Sequence, residues 1–265
     1  MQDQSEQVEI EANAEQPAPA RATPASERNV AMVIVAHPDD AEFGCAGTLA
    51  VWAREGWDVY QVIITDGSAG GPDEATDVSP EARQKVVETR QAEQRRAAEI
   101  LGVKDVIFLG YHDGELQPTL ELRRDLVRLL RKYRVSRLLV QSPVRTWLPV
   151  YQIGRYHPDH LASGEAAMAA VYPAAQNPWD FPELMAEGLT PHKVAELFVM
   201  GAPTVNVAVD ISSTIDQKIE ALRAHHSQLG GHFAMIERWM RTGAADRGAR
   251  HGMAFAEEFH RTQNF

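Results

Sequence analysis

Cysteine is almost absent from the sequence, and so are long apolar runs. The single cysteine, Cys45, allows no disulfide within the chain and no zinc site built from cysteine ligands. No apolar run approaches the roughly 20 residues that a membrane-spanning helix needs, and the opening stretch MQDQSEQVEI lacks the basic and apolar regions of a signal peptide. We therefore expect a cytoplasmic protein that does not bind a membrane.

Positive charge is also in short supply. The chain has 26 Lys and Arg residues against 37 Asp and Glu residues, which gives a net charge of −11. This balance argues against nucleic acid as a partner. The arginine-rich run 123–137 does not change that expectation, because Leu122, Leu126 and Leu130 fall at helical spacing and predict a buried stripe with the arginines on the solvated face. A neutral small-molecule substrate and a homo-oligomer are both compatible with the charge.

Large apolar side chains are scarce in residues 1–28, which are rich in Gln, Glu, Ala, Pro and Ser. A segment of this composition cannot bury enough apolar surface to offset the entropy of ordering it. We predict a disordered N-terminal tail over 1–28, followed by one folded domain over 29–265.

Beyond the tail, short apolar runs rich in β-branched residues alternate with helix-like stretches. Strands are predicted at 29–36, 57–67, 103–110 and 135–142, and helices at 47–56, 79–102 and 118–134. This order predicts an α/β fold of the Rossmann-like, three-layer type, with a mostly parallel sheet and helices on both faces.

The second half of the chain is less regular. The patterns predict helices at 161–172 and 212–228, strands at 194–200 and 205–210, and a short terminal helix or a strap over the site at 252–261. In parallel α/β sheets, ligands bind beyond the carboxyl ends of the strands. His37, Asp66 and the segment 110–114 each follow a predicted strand, so we expect them at that edge of the sheet.

The stretch VIVAHPDDAEFGC, residues 33–45, places a histidine and three carboxylates directly after a buried run. His37 and Asp40 offer an imidazole and a carboxylate, which are suitable Zn²⁺ ligands. A neighbouring carboxylate that does not bind the metal can act as a general base. The alternative is that Asp39 or Asp40 only caps the next helix, and this segment alone leaves both interpretations open.

A second histidine-rich stretch, RYHPDHLASGE, occupies 155–165, with His157 and His160 three residues apart. One of them could complete a site with three protein ligands and a water, which is the pattern of catalytic zinc. A pair of surface or capping histidines is the alternative for this stretch taken alone. Two separate His-Pro-Asp tripeptides in one chain favour the metal site.

The two stretches together resemble the LmbE-like, or PIG-L, family of zinc-dependent N-acetylglucosaminyl deacetylases. The resemblance rests on AHPDDAEFGCAGTL (36–49) and HPDH (157–160), and it extends over most of 30–261 through TDGSAGG, ETRQAEQRRAAEILG and FLGYHDGEL. It implies a hydrolase that removes an N-acetyl group from a small N-acylated amine, most often an N-acetylglucosamine derivative, by means of metal-activated water.

The resemblance also implies roles for individual residues. His37, Asp40 and His160 match the metal ligands of the family. Asp39 matches the general base, and His157 matches the residue that stabilises the tetrahedral oxyanion. The implied cofactor is Zn²⁺, although ligand type selects weakly among divalent ions and Fe²⁺ is an alternative.

Arg90 and Asp113 match family positions that hold sugar hydroxyl groups. The alternatives are that Arg90 lies on a solvated helix face and that Asp113 starts a turn. Glu42 has either a catalytic role or a structural one, since a negative charge suits the first turn of a helix. The histidines near a Gly-Gly pair are expected at the surface or at the mouth of the site; they are His225, His226 and His232.

Two other functions remain open at this point. One is an amidase that acts on a larger thiol-sugar conjugate or a natural-product glycoside with the same metal site. The other is a Rossmann-like module that binds a metal or a nucleotide without catalysis, although such a module has no need of a base beside the ligands.

Overall fold

The sheet is the centre of the fold. A computed structural model describes residues 29–147 and 153–264, so the predicted tail, 1–28, lies outside the described residues, and that 29–265 form one domain stays a prediction. Within the described ranges, none of the helices combines the length and the apolar character needed to cross a membrane. The strands are β1 (Val30–Val35), β2 (Asp58–Thr65), β3 (Asp105–Tyr111), β4 (Arg137–Gln141), β5 (Glu196–Met200), β6 (Val207–Asp210) and β7 (Ala256–Gln263).

Helices connect the strands and cover the sheet. They are α1 (Asp40–Gly44), α2 (Ala46–Arg54), α3 (Pro80–Leu101), α4 (Leu120–Tyr133), α5 (Ile153–Tyr156), α6 (Pro158–Ala169), α7 (Pro182–Ala186), α8 (Ile215–Arg223), α9 (His226–Leu229) and α10 (Phe233–Arg250). A wider turn, Ala170–Ala175, continues α6, and a 3₁₀ turn, Gly230–His232, precedes α10.

The strand order is β3-β2-β1-β4-β5-β7-β6. The five strands from β3 to β5 run parallel, whereas β7 is antiparallel to both β5 and β6. The predicted α/β fold with a mostly parallel sheet is therefore confirmed. The order reverses direction between β1 and β4, and in such sheets this switch point is where ligands bind.

Strand β1 lies at this switch point and is buried on both faces. Its side chains alternate: Met32 and Ile34 pack in the core shared with α4 and α6, whereas Ala31 and Val33 pack with Leu49 of α2. This alternation is the expected pattern for a central parallel strand with helices on both sides. It fixes the residues that follow β1 at the carboxyl edge of the sheet.

Helix α3 begins and ends where its sequence predicts. The Ser79 hydroxyl accepts a hydrogen bond of 3.2 Å from the Ala82 N–H, Pro80 occupies the first turn, and Gly102 ends the helix with φ +76°. A left-handed residue after the last turn is a position that glycine occupies at little cost. These ends set which residues of α3 face the site.

Two expectations about the elements are wrong, and one element was missed. The stretch 252–261 is neither a helix nor a strap, because most of it forms β7, whose Phe259 is buried in the core. Helix α10 was not predicted. On α4, Arg131 is buried rather than solvated, because its guanidinium reaches across to a turn and donates to the carbonyl oxygens of Ala174, Ala175, Asn177 and Asp180.

Candidate metal centre and active site

The first His-Pro-Asp stretch forms the turn between β1 and α1. The His37 N–H donates to Asp40 Oδ2 at 2.8 Å. Asp39 has a left-handed backbone, with φ +88°, which costs a residue with a side chain about 1–3 kcal/mol and persists only where surrounding contacts impose it. Asp39 occupies the N-cap position of α1, but its side chain makes no capping hydrogen bond. The simple capping interpretation therefore fails for Asp39.

The second stretch forms the start of α6. His157 is the N-cap, and its Nδ1 accepts a hydrogen bond of 3.2 Å from the Asp159 N–H. One turn beyond His160, a Cβ on Gly164 would overlap the carbonyl oxygen of Gln141 and lie 2.9 Å from the Pro143 nitrogen. Glycine thus lets α6 lie directly against the end of β4, which brings this stretch beside the turn after β1.

Three side chains from the two stretches converge. His37 Nδ1 lies 3.2 Å from His160 Nε2 and 3.3 Å from Asp40 Oδ2, and His160 Nε2 lies 3.0 Å from Asp40 Oδ1. Ligands about 2.0–2.1 Å from a tetrahedral Zn²⁺ stand about 3.3 Å apart. The three donors therefore match the edges of a tetrahedral site, and they fit the metal that the sequence implies.

The other nitrogen of His37 faces two carboxylates. His37 Nε2 lies 3.0 Å from Asp113 Oδ1 and 3.1 Å from Asp159 Oδ2. Because ionised carboxylates only accept hydrogen bonds, Nε2 carries a proton. In the neutral ring that a metal requires, the lone pair is then on Nδ1, which faces Asp40 and His160. This carboxylate–histidine arrangement commonly orients metal ligands. Sequence reasoning missed Asp159, although its position inside HPDH was an available signal.

Among the residues that the structure describes, two other three-residue groups bring ligand atoms within 4.8 Å of one another, and neither includes Asp40. The group of His37, His157 and His160 is the poorer set, because His157 Nδ1 already accepts the Asp159 N–H. In the group of His37, Asp113 and Asp159, both carboxylates face His37 Nε2. That nitrogen carries a proton and therefore has no lone pair for a metal. The donors His37, Asp40 and His160 remain the set that fits a cation best.

The charges of this cluster shift its pKa values strongly. Burial opposes a proton on His37, but hydrogen bonds to Asp113, Asp159 and Asp40 outweigh it and raise the pKa of His37 to about 12 in the metal-free protein. Burial also opposes ionisation of Asp40, yet His160 and His37 hold the pKa of Asp40 well below its usual range. Without a metal, a protonated His37 supplies the positive charge that these carboxylates need.

The two remaining site residues have pKa values suited to proton transfer. Burial and the adjacent charge of Asp40 raise the pKa of Asp39 to about 7. Burial, followed by the charges of His37 and His160, lowers the pKa of His157. A neutral His157 whose Nδ1 accepts a hydrogen bond carries its proton on Nε2, so it can still donate from that atom.

Arg90 lies inside the site rather than on a solvated helix face. It is 4% exposed, and it donates to the carbonyl oxygens of Gly67 at 3.0 Å and Pro38 at 2.8 Å. Its Nη2 also lies 3.4 Å from Asp39 Oδ2, and its Nη1 lies 3.7 Å from Asp113 Oδ2. The proposed contact of Arg90 and Asp113 with substrate stays a prediction.

The other carboxylate of the first stretch is fully buried. Glu42 Oε2 lies 3.3 Å from Nε2 of His225, which is also fully buried. The expectation of a surface histidine is therefore wrong for His225, because α8 and α9 pack the residue behind α1. His226 and His232 are exposed, as expected.

A cavity of about 660 Å³ lies beside the converging donors. Asp40 and His160 line it, together with Met200 at the end of β5 and Trp239 and Gly243 of α10. Its volume lies in the range of cavities that hold small organic ligands. Asp39 and His157 do not line it, so the helix that the sequence did not predict forms one wall of a cavity that reaches the converging donors.

The chain is similar to known deacetylases over most of its length. It is 34% identical to a diacetylchitobiose deacetylase of Thermococcus kodakarensis over 227 residues, which cover 85% of this chain and 80% of that protein. It is 30% identical to a probable N-acetyl-alpha-D-glucosaminyl L-malate deacetylase 2 of Bacillus anthracis over 225 residues, 83% and 90% of the two chains.

The structure gives the same result. An inhibitor complex of the N,N'-diacetylchitobiose deacetylase from Pyrococcus horikoshii superimposes with a TM-score of 0.77 at 29% identity, covering 89% of this chain and 84% of that one. Residues 32–171 match the family model described as PIG-L: GlcNAc-PI de-N-acetylase. These similarities confirm the α/β fold and the N-deacetylase reaction that the two His-Pro-Asp stretches indicated. The chain belongs to the PIG-L family.

Proposed function

We propose that this protein is a metal-dependent deacetylase that removes an N-acetyl group from an N-acetylglucosamine derivative. His37, Asp40 and His160 hold the metal, Asp39 is the general base, and His157 stabilises the oxyanion. The observation that carries the proposal is the convergence of His37 Nδ1, His160 Nε2 and the Asp40 carboxylate within 3.0–3.3 Å of one another, next to a half-buried Asp39.

The donor set suits Zn²⁺, with Fe²⁺ as the alternative. A divalent metal supplies Lewis acidity, which polarises an amide carbonyl and acidifies water. The protein supplies the orientation of the donors. Asp113 and Asp159 hold the His37 ring through Nε2, and Asp159 is itself held by the Gly114 N–H at 2.7 Å.

Asp39 removes a proton from the attacking water. Its pKa of about 7 in the metal-free protein shows that burial and Asp40 make it more basic than an ordinary aspartate. His157 donates from Nε2 to the oxygen on which negative charge develops, an interaction that is strongest in the transition state. The C–N bond then breaks as the nitrogen takes up the proton that Asp39 accepted, which gives acetate and a free amino sugar.

The substrate class follows from the relatives and the cavity. One relative is named for diacetylchitobiose and another for an N-acetyl-glucosaminyl malate. In each of these two compounds an acetylated glucosamine is joined to a second group. A cavity of about 660 Å³ beside Asp40 and His160 has room for such a group. A cavity of this volume also has room for part of a larger substrate, so a thiol-sugar conjugate or a natural-product glycoside is the second candidate.

The test is a deacetylation screen with defined metals. The protein is stripped with a chelator and reloaded with Zn²⁺ or, without oxygen, with Fe²⁺. Amine release is then measured from N,N'-diacetylchitobiose, N-acetylglucosaminyl malate and a larger N-acyl glycoside. We expect metal-dependent release from at least one of them, and the preferred compound distinguishes the two substrate classes.

Two variants separate catalysis from simple binding. Asp39→Asn should retain the metal and lose about 10²–10⁴-fold in kcat, whereas His160→Ala should lose the metal. Asp73→Asn, at an exposed position, is the control. Wild-type protein that binds no divalent metal, or that releases no amine from any compound, overturns the proposal, and an unaffected Asp39→Asn favours the non-catalytic module.

A further inference from the structure

Four fully buried polar side chains lie behind Asp39, and none of the roles above uses them. They are Glu42, Gln61, Gln94 and His225, each 0% exposed. Burying polar groups, and charged groups above all, is unfavourable unless they are hydrogen-bonded or paired. We therefore expect the polar atoms of this cluster to be paired in a defined pattern of contacts. The cluster lies next to Asp39, the proposed general base.

The hydrogen bonds fix the orientation of one amide. Glu42 Oε1 accepts from Gln61 Nε2 at 2.9 Å and from Gln94 Nε2 at 3.0 Å, and Gln94 Nε2 also lies 3.0 Å from Gln61 Oε1. A backbone N–H can only donate, so the Gln94 atom beside the Asp39 N–H is the amide oxygen, and the NH₂ of Gln94 faces Glu42. The oxygen of Gln94 consequently faces the other way, where it accepts the Asp39 N–H at 2.9 Å.

Besides Gln94, Arg90 is a second residue of α3 that contacts the chain at Asp39. It precedes Gln94 by one turn of α3, so both side chains project from the same face of that helix. Arg90 donates to the Pro38 carbonyl oxygen at 2.8 Å, and its Nη2 lies 3.4 Å from Asp39 Oδ2. The Pro38 carbonyl oxygen and the Asp39 N–H belong to the same peptide group, so both polar atoms of the peptide before the left-handed Asp39, with φ +88°, are bonded to α3.

We propose that Gln94 is a positioning residue for Asp39, and that Glu42, backed by His225, orients the Gln94 amide for this purpose. The inference rests on the proposed role of Asp39 as the base. It assigns a role to Glu42, whose carboxylate sets the direction of a hydrogen-bond chain rather than touching the substrate. The hydrogen bonds run from Glu42 through Gln94 to the Asp39 backbone, and His225 Nε2 lies 3.3 Å from the other oxygen of Glu42.

The experiment is a kinetic comparison of Gln94→Leu with the wild type in the metal-loaded protein. A displacement of a catalytic group by about 1 Å can lower a rate about 100-fold. We expect kcat for the best N-acetyl substrate to fall about 10- to 100-fold, with KM changed less than about twofold. Metal content should be unchanged, because Gln94 contacts none of the three metal ligands in the hydrogen bonds above.

Gln94→Glu is the conservative variant. Its carboxyl group can share a proton with Glu42 and still accept the Asp39 N–H, so we expect it to recover at least about tenfold of the kcat lost in Gln94→Leu. Gln84→Leu is the matched control, because Gln84 lies on the same helix but is exposed and bonds to Glu88. It should leave kcat unchanged. Glu42→Gln should lower kcat in the same direction as Gln94→Leu.

A double-mutant cycle shows whether Gln94 acts through Asp39. In an Asp39→Asn background, Gln94→Leu should lower kcat no further, because the group it positions is gone. An equal loss in both backgrounds, no recovery in Gln94→Glu, or a kcat for Gln94→Leu within about twofold of the wild type overturns the inference. An unchanged kcat in Glu42→Gln removes Glu42 from it. A wild type that releases no amine instead overturns the proposed function.

Discussion

His37 has two ring nitrogens in opposite surroundings. Nε2 faces the carboxylates of Asp113 and Asp159, and Nδ1 faces Asp40 and His160. In the metal-free protein these carboxylates raise the pKa of His37 to about 12, although burial opposes the proton. A proton and a metal therefore compete for one imidazole, and the outcome depends on pH.

Metal binding should release about one proton per site at pH 7. His37 is protonated at that pH, because its pKa lies far above it, and it must lose a proton to coordinate. The apparent affinity for Zn²⁺ should accordingly rise about tenfold per pH unit between pH 6 and pH 8. Calorimetric titration in two buffers of different ionisation enthalpy counts the protons released.

Replacing a carboxylate beside His37 tests this prediction of proton release. Asp159→Asn removes one of the acceptors that raise the pKa of His37, so it should reduce both the proton count and the pH dependence of the affinity. The exposed Asp73→Asn should change neither. Metal binding without proton release at pH 7 would contradict the assignment of the His37 proton.

At the level of single residues, the sequence predicted the side chains that converge on the metal site. It did not predict the buried residues that position the residues of that site. His37, Asp40 and His160 stand out because histidine and aspartate in two short motifs suit a metal. Gln94 and Gln61 carry no such signal, because a glutamine within a helix or strand pattern is ordinary at the surface. Only the packing of α3 against the turn after β1 shows that Gln94 is buried beside Asp39.

Helix α2 begins without a capping side chain of its own, and another element supplies one. Glu257 of β7 accepts from the N–H groups of Gly47 at 3.1 Å and Thr48 at 2.8 Å. A carboxylate suits the positive end of a helix. Lys218 of α8 donates to Glu257 Oε1 at 2.6 Å and to the Phe43 carbonyl oxygen at 2.9 Å, so the ion pair joins α1, α2, α8 and β7.

Lys218→Met should lower the free energy of unfolding by about 3–5 kcal/mol, because it leaves the Glu257 carboxylate buried without its cation. Denaturant unfolding of the metal-free protein measures the change without any contribution from metal binding. Lys85→Met replaces an exposed lysine of α3 and is the control. A loss below about 1 kcal/mol would show that solvent reaches Glu257.

Helix α10 forms a wall of the cavity through Trp239 and Gly243. Gly243→Leu should fill part of the cavity and raise KM about tenfold for a two-unit substrate, with a smaller effect on a single N-acetyl sugar. Gly243→Ala is the matched control, since its Cβ would meet only the flexible Arg247 side chain, at 3.2 Å. Initial rates over a substrate series give the KM values. Equal KM values for Gly243→Leu and the wild type would place the second unit elsewhere.

The elements that the sequence predicted best are those with uniform surroundings. Strands β1, β2 and β4 are largely apolar because most of their side chains are buried, whereas the edge strand β3 is only half-buried. Strand β7 reads AEEFHRTQ because Glu257 pairs with Lys218 inside the protein while other side chains face solvent. Helix α10 has no continuous apolar stripe, because it packs Met240 on α8 and also faces the cavity. The periodicity of a local sequence cannot predict these long-range contacts, and so it did not predict β7 or α10.

Across the whole molecule, the proposed metal ligands come from distant parts of the chain. His37 and Asp40 follow β1, and His160 lies 120 or more residues later on α6. The three donors meet only when β1 and β4 pair and α6 packs against them. An unfolded chain therefore has no equivalent site, and metal binding is coupled to folding.

Zn²⁺ should stabilise the folded protein by about 2.7 kcal/mol when the free ion is about 100 times its Kd. Thermal unfolding with and without the ion measures this as an increase in Tm that grows with metal concentration. His160→Ala should abolish most of the increase, whereas the exposed His232→Ala should retain it. The same increase in both variants would place the metal outside the proposed site.

Strand β7 lies between β5 and β6, although it follows both in the sequence. Strands β5 and β6 therefore do not pair with each other, and β6 is joined to the sheet through β7. The same strand carries Glu257, which binds the first N–H groups of α2. The one strand therefore serves both the edge of the sheet and the start of the helix beside α1, so a change that displaces β7 would disturb both at once.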